Sequence, residues 1–214
     1  ASPIVPEFAG LNKDKAFVVR TLNDADKIKS YIKNNLVKKV AVIGGGFIGL
    51  EMVENLVHRG MKVTIVQVSN QVMAPLDYEM ASLVHAHLKE KGVEILFNDQ
   101  VTEFKNHGRR LVLTSGKELE SELTIMSIGV KPENELAKQA DLEIGERGGI
   151  VVNEFLQTSD KDIYAIGDAI QVKDYIFGYD TMLPLAGPAN RQGRIGADNI
   201  HGKKKTPYTG ILGT

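Results

Sequence analysis

The sequence predicts an α/β fold built on a parallel sheet, and three observations carry that reading. Short apolar runs alternate with amphipathic, helix-length segments between residues 39 and 97. A glycine cluster stands between the first apolar run and the first of these helices. Hydrophobic residues make up 43% of the 214 residues, enough for a substantial core. Strand–helix alternation means parallel strands, because a chain that returns to the same sheet edge must cross over through a helix.

Residues 1–15, with Pro3 and Pro6, read as an irregular lead-in. From Asp24 to Asn35, Ile28, Tyr31 and Ile32 fall at helical spacing, with Asn23 or Asp24 as the cap. Lys39–Ile43 is short, β-branched and almost wholly apolar, as suits a strand covered on both faces. After Gly44-Gly45-Gly46, Phe47–Arg59 reads as a helix with Phe47, Leu50, Val53, Leu56 and Val57 along one side and Gly60 as its stop. Lys62–Val68 is a second strand. Asp77–Lys91 is a second helix, its apolar stripe drawn through Met80, Leu83, Val84, His87 and Leu88. Val93–Phe97 is a third strand. The pattern then changes to a β-meander, Val101–Lys105, Arg110–Thr114 and Lys117–Glu120, with turns at His107-Gly108 and Ser115-Gly116. Leu123–Ile128 returns to the main sheet and Gly129-Val130-Lys131-Pro132 ends it. Beyond Gly145, Ile150–Val152 and Ile163–Ile166 read as strands and Gly187–Ile200 as a helix, without a complete βαβ unit.

Composition excludes several function classes. A formal net charge of −1 does not supply the basic surface of a bulk nucleic-acid binder. No apolar run approaches the ~20 residues that span a bilayer, and no secretory signal opens the chain. Neither nucleic acid nor membrane is therefore expected as a partner, and a cytoplasmic location is. With no cysteine, these residues carry no disulfide, no thiolate metal site and no cysteine nucleophile. His85 and His87 stand two apart on a helix and do not face one another, so no metal site is expected. His58 and His201, near helix ends, suit the helix dipole, and Lys203–Lys205 reads as a solvated turn.

The chemistry-bearing motif is Gly44-x-Gly46-x-x-Gly49, in a strand–turn–helix context. Gly44 permits the tight turn. Gly46, having no side chain, lets a diphosphate reach the backbone. Gly49 lets the helix lie close to the strand, and the helix N-terminus offers free N–H groups to the phosphate. Such a fingerprint also asks for an acidic residue about 20 residues on, to bind the ribose 2′-hydroxyl. Gln67 stands there instead. No Arg or Lys occurs at 66–70 to hold a 2′-phosphate, which favours NAD over NADP without excluding NADP. Glu51, two residues past Gly49, suits the first turns of a helix.

The segment Val42–Glu51 resembles the NADH-binding segment of the FAD-dependent pyridine nucleotide-disulfide oxidoreductases. Met126–Pro132 is similar to the second glycine motif of that family, and Thr158–Asp168 to its second flavin motif. Leu183–Arg194 is similar to the flavin-facing helix of the branch that holds the coenzyme A-disulfide reductases, NADH oxidases, NADH peroxidases and their rhodanese-fused relatives. Ala1-Ser2-Pro3 resembles the end of the strand where the chain leaves the FAD domain.

The resemblance implies a Rossmann-like NAD(P)H-binding domain at 36–149, flanked by parts of an incomplete FAD-binding domain at 1–35 and 150–214. It implies that Gly44, Gly46, Phe47, Ile48 and Gly49 cradle the NAD diphosphate. Glu51 would lie near the nicotinamide, Gln67 at the adenosine ribose and Gly129 along the cleft. It further implies that Asp168 binds the FAD ribityl chain and that Leu185, Ala186 and Gly187 place a helix N-terminus near the flavin ring. Phe47 stands where many relatives carry a flavin-covering Tyr, so shielding is kept and the hydroxyl is lost. The intact protein would be a homodimer passing hydride from NAD(P)H to FAD and on to a small disulfide such as CoA-disulfide, to a sulfur substrate, or to oxygen. The family's N-terminal glycine motif and redox cysteine do not occur here, and the chain ends at Ile211-Leu212-Gly213-Thr214. It therefore reads as a central piece, inactive alone and without a catalytic residue of its own. A rubredoxin- or ferredoxin-type reductase and a non-catalytic dinucleotide sensor are the alternatives.

Overall fold

A computed structural model describes residues 1–202 and 205–211. Lys203 and Lys204 of the basic run, and residues 212–214, lie outside the described residues. The chain divides into two compact units, Pro3–Gly129 and Ala1–Ser2 with Val130–Thr214.

The first unit holds the elements β1 (Ala16–Phe17), α1 (Leu22–Asn35), β2 (Lys39–Ile43), α2 (Phe47–His58), β3 (Lys62–Gln67), α3 (Tyr78–Glu90), β4 (Glu94–Phe97), β5 (Val101–Lys105), β6 (Arg110–Leu113), β7 (Glu118–Glu120) and β8 (Leu123–Met126). Five of the strands form a parallel sheet in the order β1-β8-β2-β3-β4. In register, Val40 lies opposite both Val63 and Leu123. After its exposed first lysine, β2 is buried residue after residue, as its continuous apolar run predicts. One face of the sheet is covered by helices, with Ile28, Val53, Leu56 and Leu88 packed against Val40, Val42, Val63 and Ile65. The antiparallel β5-β6-β7 meander covers the other face, laying Phe104, Leu111 and Leu113 on Ala41, Ile43 and Val66. The meander therefore does the work of the missing second helix layer.

β1 adds an edge strand beside β8, and Ile28 of α1 sits in the core of this unit. Several expectations need correction. The cap of α1 is Thr21 rather than Asn23 or Asp24. Asp24 serves as the other half of a capping box, its carboxylate accepting the Thr21 N–H at 2.8 Å. In α3 the buried face is Ala81, His85 and Leu88, while Met80 is 56% exposed and Leu83 and His87 also face solvent. In α2, Val53 and Leu56 are buried as expected but Phe47 is 47% exposed.

The second unit has a core of Ala137, Ile150, Leu156, Ile170, Val172 and Ile195. Ala137 joins this core, and a single bridge ties Ile144 to Ile150. Its regular elements include α4 (Glu135–Gln139), a 3-10 turn at Gly167–Ala169, the hairpin strands β9 (Val172–Lys173) and β10 (Asp180–Thr181), and α5 (Ala186–His201). Neither Ile150–Val152 nor Ile163–Ile166 is a strand. Ile150 makes single bridges to Ile144 and Ile170, and Tyr164 a single bridge to Gln157. Without a neighbour to extend a ladder, these β-branched runs stay irregular, and Ile163 and Ile166 remain exposed. Among the described residues no helix is long and apolar enough to cross a membrane.

Candidate functional site

β2 is the place where the strand order reverses: the chain goes from it to β3 and β4 on one side and returns through β8 on the other. In open parallel sheets the crevice beyond the carboxyl ends of such strands is where ligands bind. Gly44-Gly45-Gly46 occupies that crevice, and each glycine answers a different constraint.

Gly44 has φ +101°, and a Cβ there would strike the Ser127 carbonyl. Its N–H donates to the Val66 carbonyl at 2.9 Å. Gly45 is buried, and a Cβ would come within 2.6 Å of Val72 Cγ1. Its N–H donates to Gln67 Oε1 at 2.7 Å and its carbonyl accepts from the Met73 N–H at 2.8 Å. Gly46 is exposed, and a Cβ built on it would meet nothing within 4 Å. As the N-cap of α2 it provides no side-chain cap, so the first amides of the helix are left without one. Gly49 is buried one turn on. A Cβ there would overlap the Gly44 carbonyl and lie 2.8 Å from Ser127 Oγ, so α2 sits against the turn that precedes it.

Ser127, to which the sequence assigns no role, also lines this crevice. Its Oγ lies 2.9 Å from both the Ile43 and Gly44 carbonyls, and its N–H donates to Ile43 at 2.8 Å. It clips the end of β8 to the glycine turn. The available signal was its place directly after an apolar strand expected to rejoin the sheet.

The crevice has a volume of about 550 Å3, within the usual range of small-molecule sites, and its lining includes Gly44, Gly46, Gln67, Val68, Asp99 and Gly129. Among the described residues no lysine or arginine lines it. Asp99 contributes a carboxylate. Burial pushes its pKa up, but the Ser115 hydroxyl at 2.6 Å and the Ser115 and Gln100 amides bring it below the usual range, so it stays ionised. Phe47 and Ile48 stand exposed on the first turn of α2, Glu51 is exposed further along it, and Gly129 is exposed with φ +128°.

The remaining residues of the sequence-based set lie in the second unit. Asp168 sits in the 3-10 turn, 3.8 Å from the N-terminal amine of Ala1. Leu185 is the extended N-cap of α5 without a side-chain cap, and Ala186 and Gly187 are exposed on its first turn. Gln192, buried in the middle of α5, accepts the Gly167 N–H at 2.7 Å. That bond ties the turn bearing Asp168 to the helix that begins at Ala186. Sequence reasoning assigned Gln192 no role.

His85, dismissed as a metal ligand, has a structural task. Its Nε2 accepts the Val72 N–H at 3.2 Å, and burial, reinforced by nearby Lys89, lowers its pKa so that the accepting neutral form persists. Among the described residues no three His, Asp or Glu side chains gather as a metal site.

A family model described as pyridine nucleotide-disulphide oxidoreductase matches residues 1–193. An NADH oxidase of Methanocaldococcus jannaschii is 39% identical over 210 residues, covering 97% of this chain and 47% of the relative. An NAD(P)H sulfur oxidoreductase (CoA-dependent) of Pyrococcus abyssi is 36% identical over 216 residues, covering 100% of this chain and 48% of the relative. A crystal structure of reduced Bacillus anthracis CoADR-RHD superposes with a TM-score of 0.95 at 51% identity, over 99% of this chain and 38% of that one. The chain thus spans about half the length of the curated relatives it matches. With a match across most of its length, and a glycine turn at the switch point of a parallel sheet, the chain belongs to the pyridine nucleotide-disulphide oxidoreductase family.

Proposed function

We propose that this chain is the NAD(P)H-receiving portion of a flavin-dependent oxidoreductase. That enzyme moves a hydride from NAD(P)H to FAD and on to a disulfide such as CoA-disulfide, a sulfur substrate or oxygen. The observation that carries the reading is the open side of Gly46. A Cβ there meets nothing within 4 Å, at the N-cap of a helix whose first amides have no side-chain cap, whereas Gly44, Gly45 and Gly49 are each hemmed in by the fold itself. Fold stability explains the hemmed-in glycines. Access for a ligand explains the open one.

In this reading Gly44, Gly46, Phe47, Ile48 and Gly49 form the diphosphate cradle, with the positive end of α2 opposing its charge. The exposed apolar side chains of Phe47 and Ile48 flank the dinucleotide, Glu51 lies toward the nicotinamide, and Gly129 keeps the cleft wall low. The neutral Gln67, and the absence of a lining cation among the described residues, favour NADH over NADPH. For the flavin, Asp168 offers a hydrogen-bond acceptor to the ribityl chain. The uncapped amides of Ala186 and Gly187, next to the N-cap Leu185, oppose negative charge on the ring. When bound, the nicotinamide supplies a hydride and the flavin accepts it. Lacking cysteine, these residues contribute no thiol to the later steps.

Gly46→Val tests the cradle. Because the new side chain points into open space, the circular dichroism spectrum and unfolding temperature should match the wild type, while NADH affinity measured by calorimetry falls at least ~100-fold through loss of the phosphate contacts. The wild type should bind NADH at least as tightly as NADPH. Unaltered affinity in the variant, or a clear preference for NADPH, contradicts the reading.

A further inference from the structure

Gln67 stands where an acidic residue would read the ribose, yet both ends of its side-chain amide are engaged inside the protein. Oε1 accepts the Gly45 N–H at 2.7 Å, and Nε2 donates to Ser69 Oγ at 2.7 Å. Ser69 Oγ in turn donates to the Gln71 carbonyl at 2.9 Å. The direction of this relay is fixed by its two ends: a backbone N–H only donates and a backbone carbonyl only accepts. The middle member must therefore accept on one side and donate on the other. An amide does both, whereas an ionised carboxylate only accepts, and would turn the Ser69 hydroxyl away from Gln71.

The relay braces the segment that closes around the glycine turn. Gln71 Nε2 donates to the Leu76 carbonyl at 2.7 Å, the Met73 N–H donates to Gly45, and Val72, fully buried, lies against Gly45 and holds His85 through its own N–H. Gly45 is thus gripped at its N–H by Gln67, at its carbonyl by Met73 and at its Cα by Val72. Gly46, the next residue, carries the open side of the cradle.

From this we infer that Gln67 is a positioning residue. It fixes the glycine turn and the 69–76 segment as one unit, and so aims the cradle amides, rather than reading the adenosine ribose. The inference rests on the proposed dinucleotide site and specifies how that site is held. It also accounts for the departure from an acidic residue, since the Ser69 relay requires a donor.

The test compares wild type, Gln67→Leu, Gln67→Glu and Ser69→Ala, using NADH and the NADH analogue that lacks both hydroxyls on the adenosine ribose. Affinities are read by calorimetry, and the Gly45 amide by hydrogen exchange. Gln67→Leu should weaken both ligands by the same factor, roughly tenfold, and speed Gly45 exchange. Gln67→Glu, which keeps an acceptor for Gly45, should restore the slow exchange and most of the affinity for the dideoxy analogue. Ser69→Ala should weaken both ligands by a smaller common factor. A loss in Gln67→Leu confined to NADH makes Gln67 a ribose ligand and overturns the inference, as does unchanged binding of both. If the wild type binds neither ligand, the dinucleotide reading fails instead. Gly45 exchange in Gln67→Leu then still shows whether Gln67 holds the turn: faster exchange sustains that role and unchanged exchange removes it.

Discussion

At the scale of single residues, the glycine turn is controlled by side chains some distance away in sequence. At Gly49, α2 lies directly against the glycine turn and Ser127. Gly49→Ala would force its methyl group onto the Gly44 carbonyl and Ser127 Oγ, and should destabilise the protein by about 2 kcal/mol or more in urea unfolding. Cost-free substitution there would mean the helix has room to shift. His85 acts on the turn from farther along the chain, by accepting the Val72 N–H. It is a base whose folded-state pKa is lowered, so the unfolded chain takes up the proton first. Its contribution to stability is complete above the ordinary value of 6.5 and is lost as pH falls below it. Gln in its place can still accept the Val72 N–H but does not titrate. Unfolding free energies measured from pH 7 down to roughly 5.5 should therefore fall more steeply in the wild type than in His85→Gln. Parallel slopes would exclude His85 as the source.

At the scale of elements, what was legible in the sequence depended on how the signal is written. β2, α2, β3, the meander and its two turn glycines lie where periodicity and glycine spacing place them, because those elements are held by burial and backbone sterics, which leave marks in residue type. The face of α3 was not legible. The stripes through Met80 and Leu83 or through Ala81 and His85 share Val84 and Leu88, and hydropathy alone favours the first. The fold takes the second because a small Ala81 allows close approach and His85 is repaid with the Val72 hydrogen bond. Leu88→Ala should cost about 2–5 kcal/mol, whereas Met80→Glu should stay within about 0.5 kcal/mol. A large effect at Met80 in chemical denaturation would place the helix in the other rotation. β1 escaped notice because two residues carry no period. Ile163–Ile166 has the apolar composition of a strand, yet among the described residues it finds only the single bridge from Tyr164 to Gln157 to pair with. In the candidate site, the glycines were legible because each is a missing side chain. The tasks of Gln67, Ser127 and Gln192 were not, because each is defined by a partner 22, 84 or 25 positions away.

At the scale of the whole molecule, the chain divides into a unit that carries the glycine turn and a unit that carries Asp168 and the start of α5. The first is a parallel sheet closed by helices on one face and by a meander on the other, which leaves the carboxyl end of β2 as the crevice. All of the functional reading rests on one physical claim, that this crevice delivers uncapped backbone amides to a diphosphate. An amide-resolved NMR titration of the protein with NADH tests it most directly. The Gly46, Phe47 and Ile48 amides should show the largest saturable shifts, followed by Gly129, with the shifts at Gly46 abolished in Gly46→Val. Saturable shifts that spare Gly46 to Ile48 and cluster on another face would contradict the account.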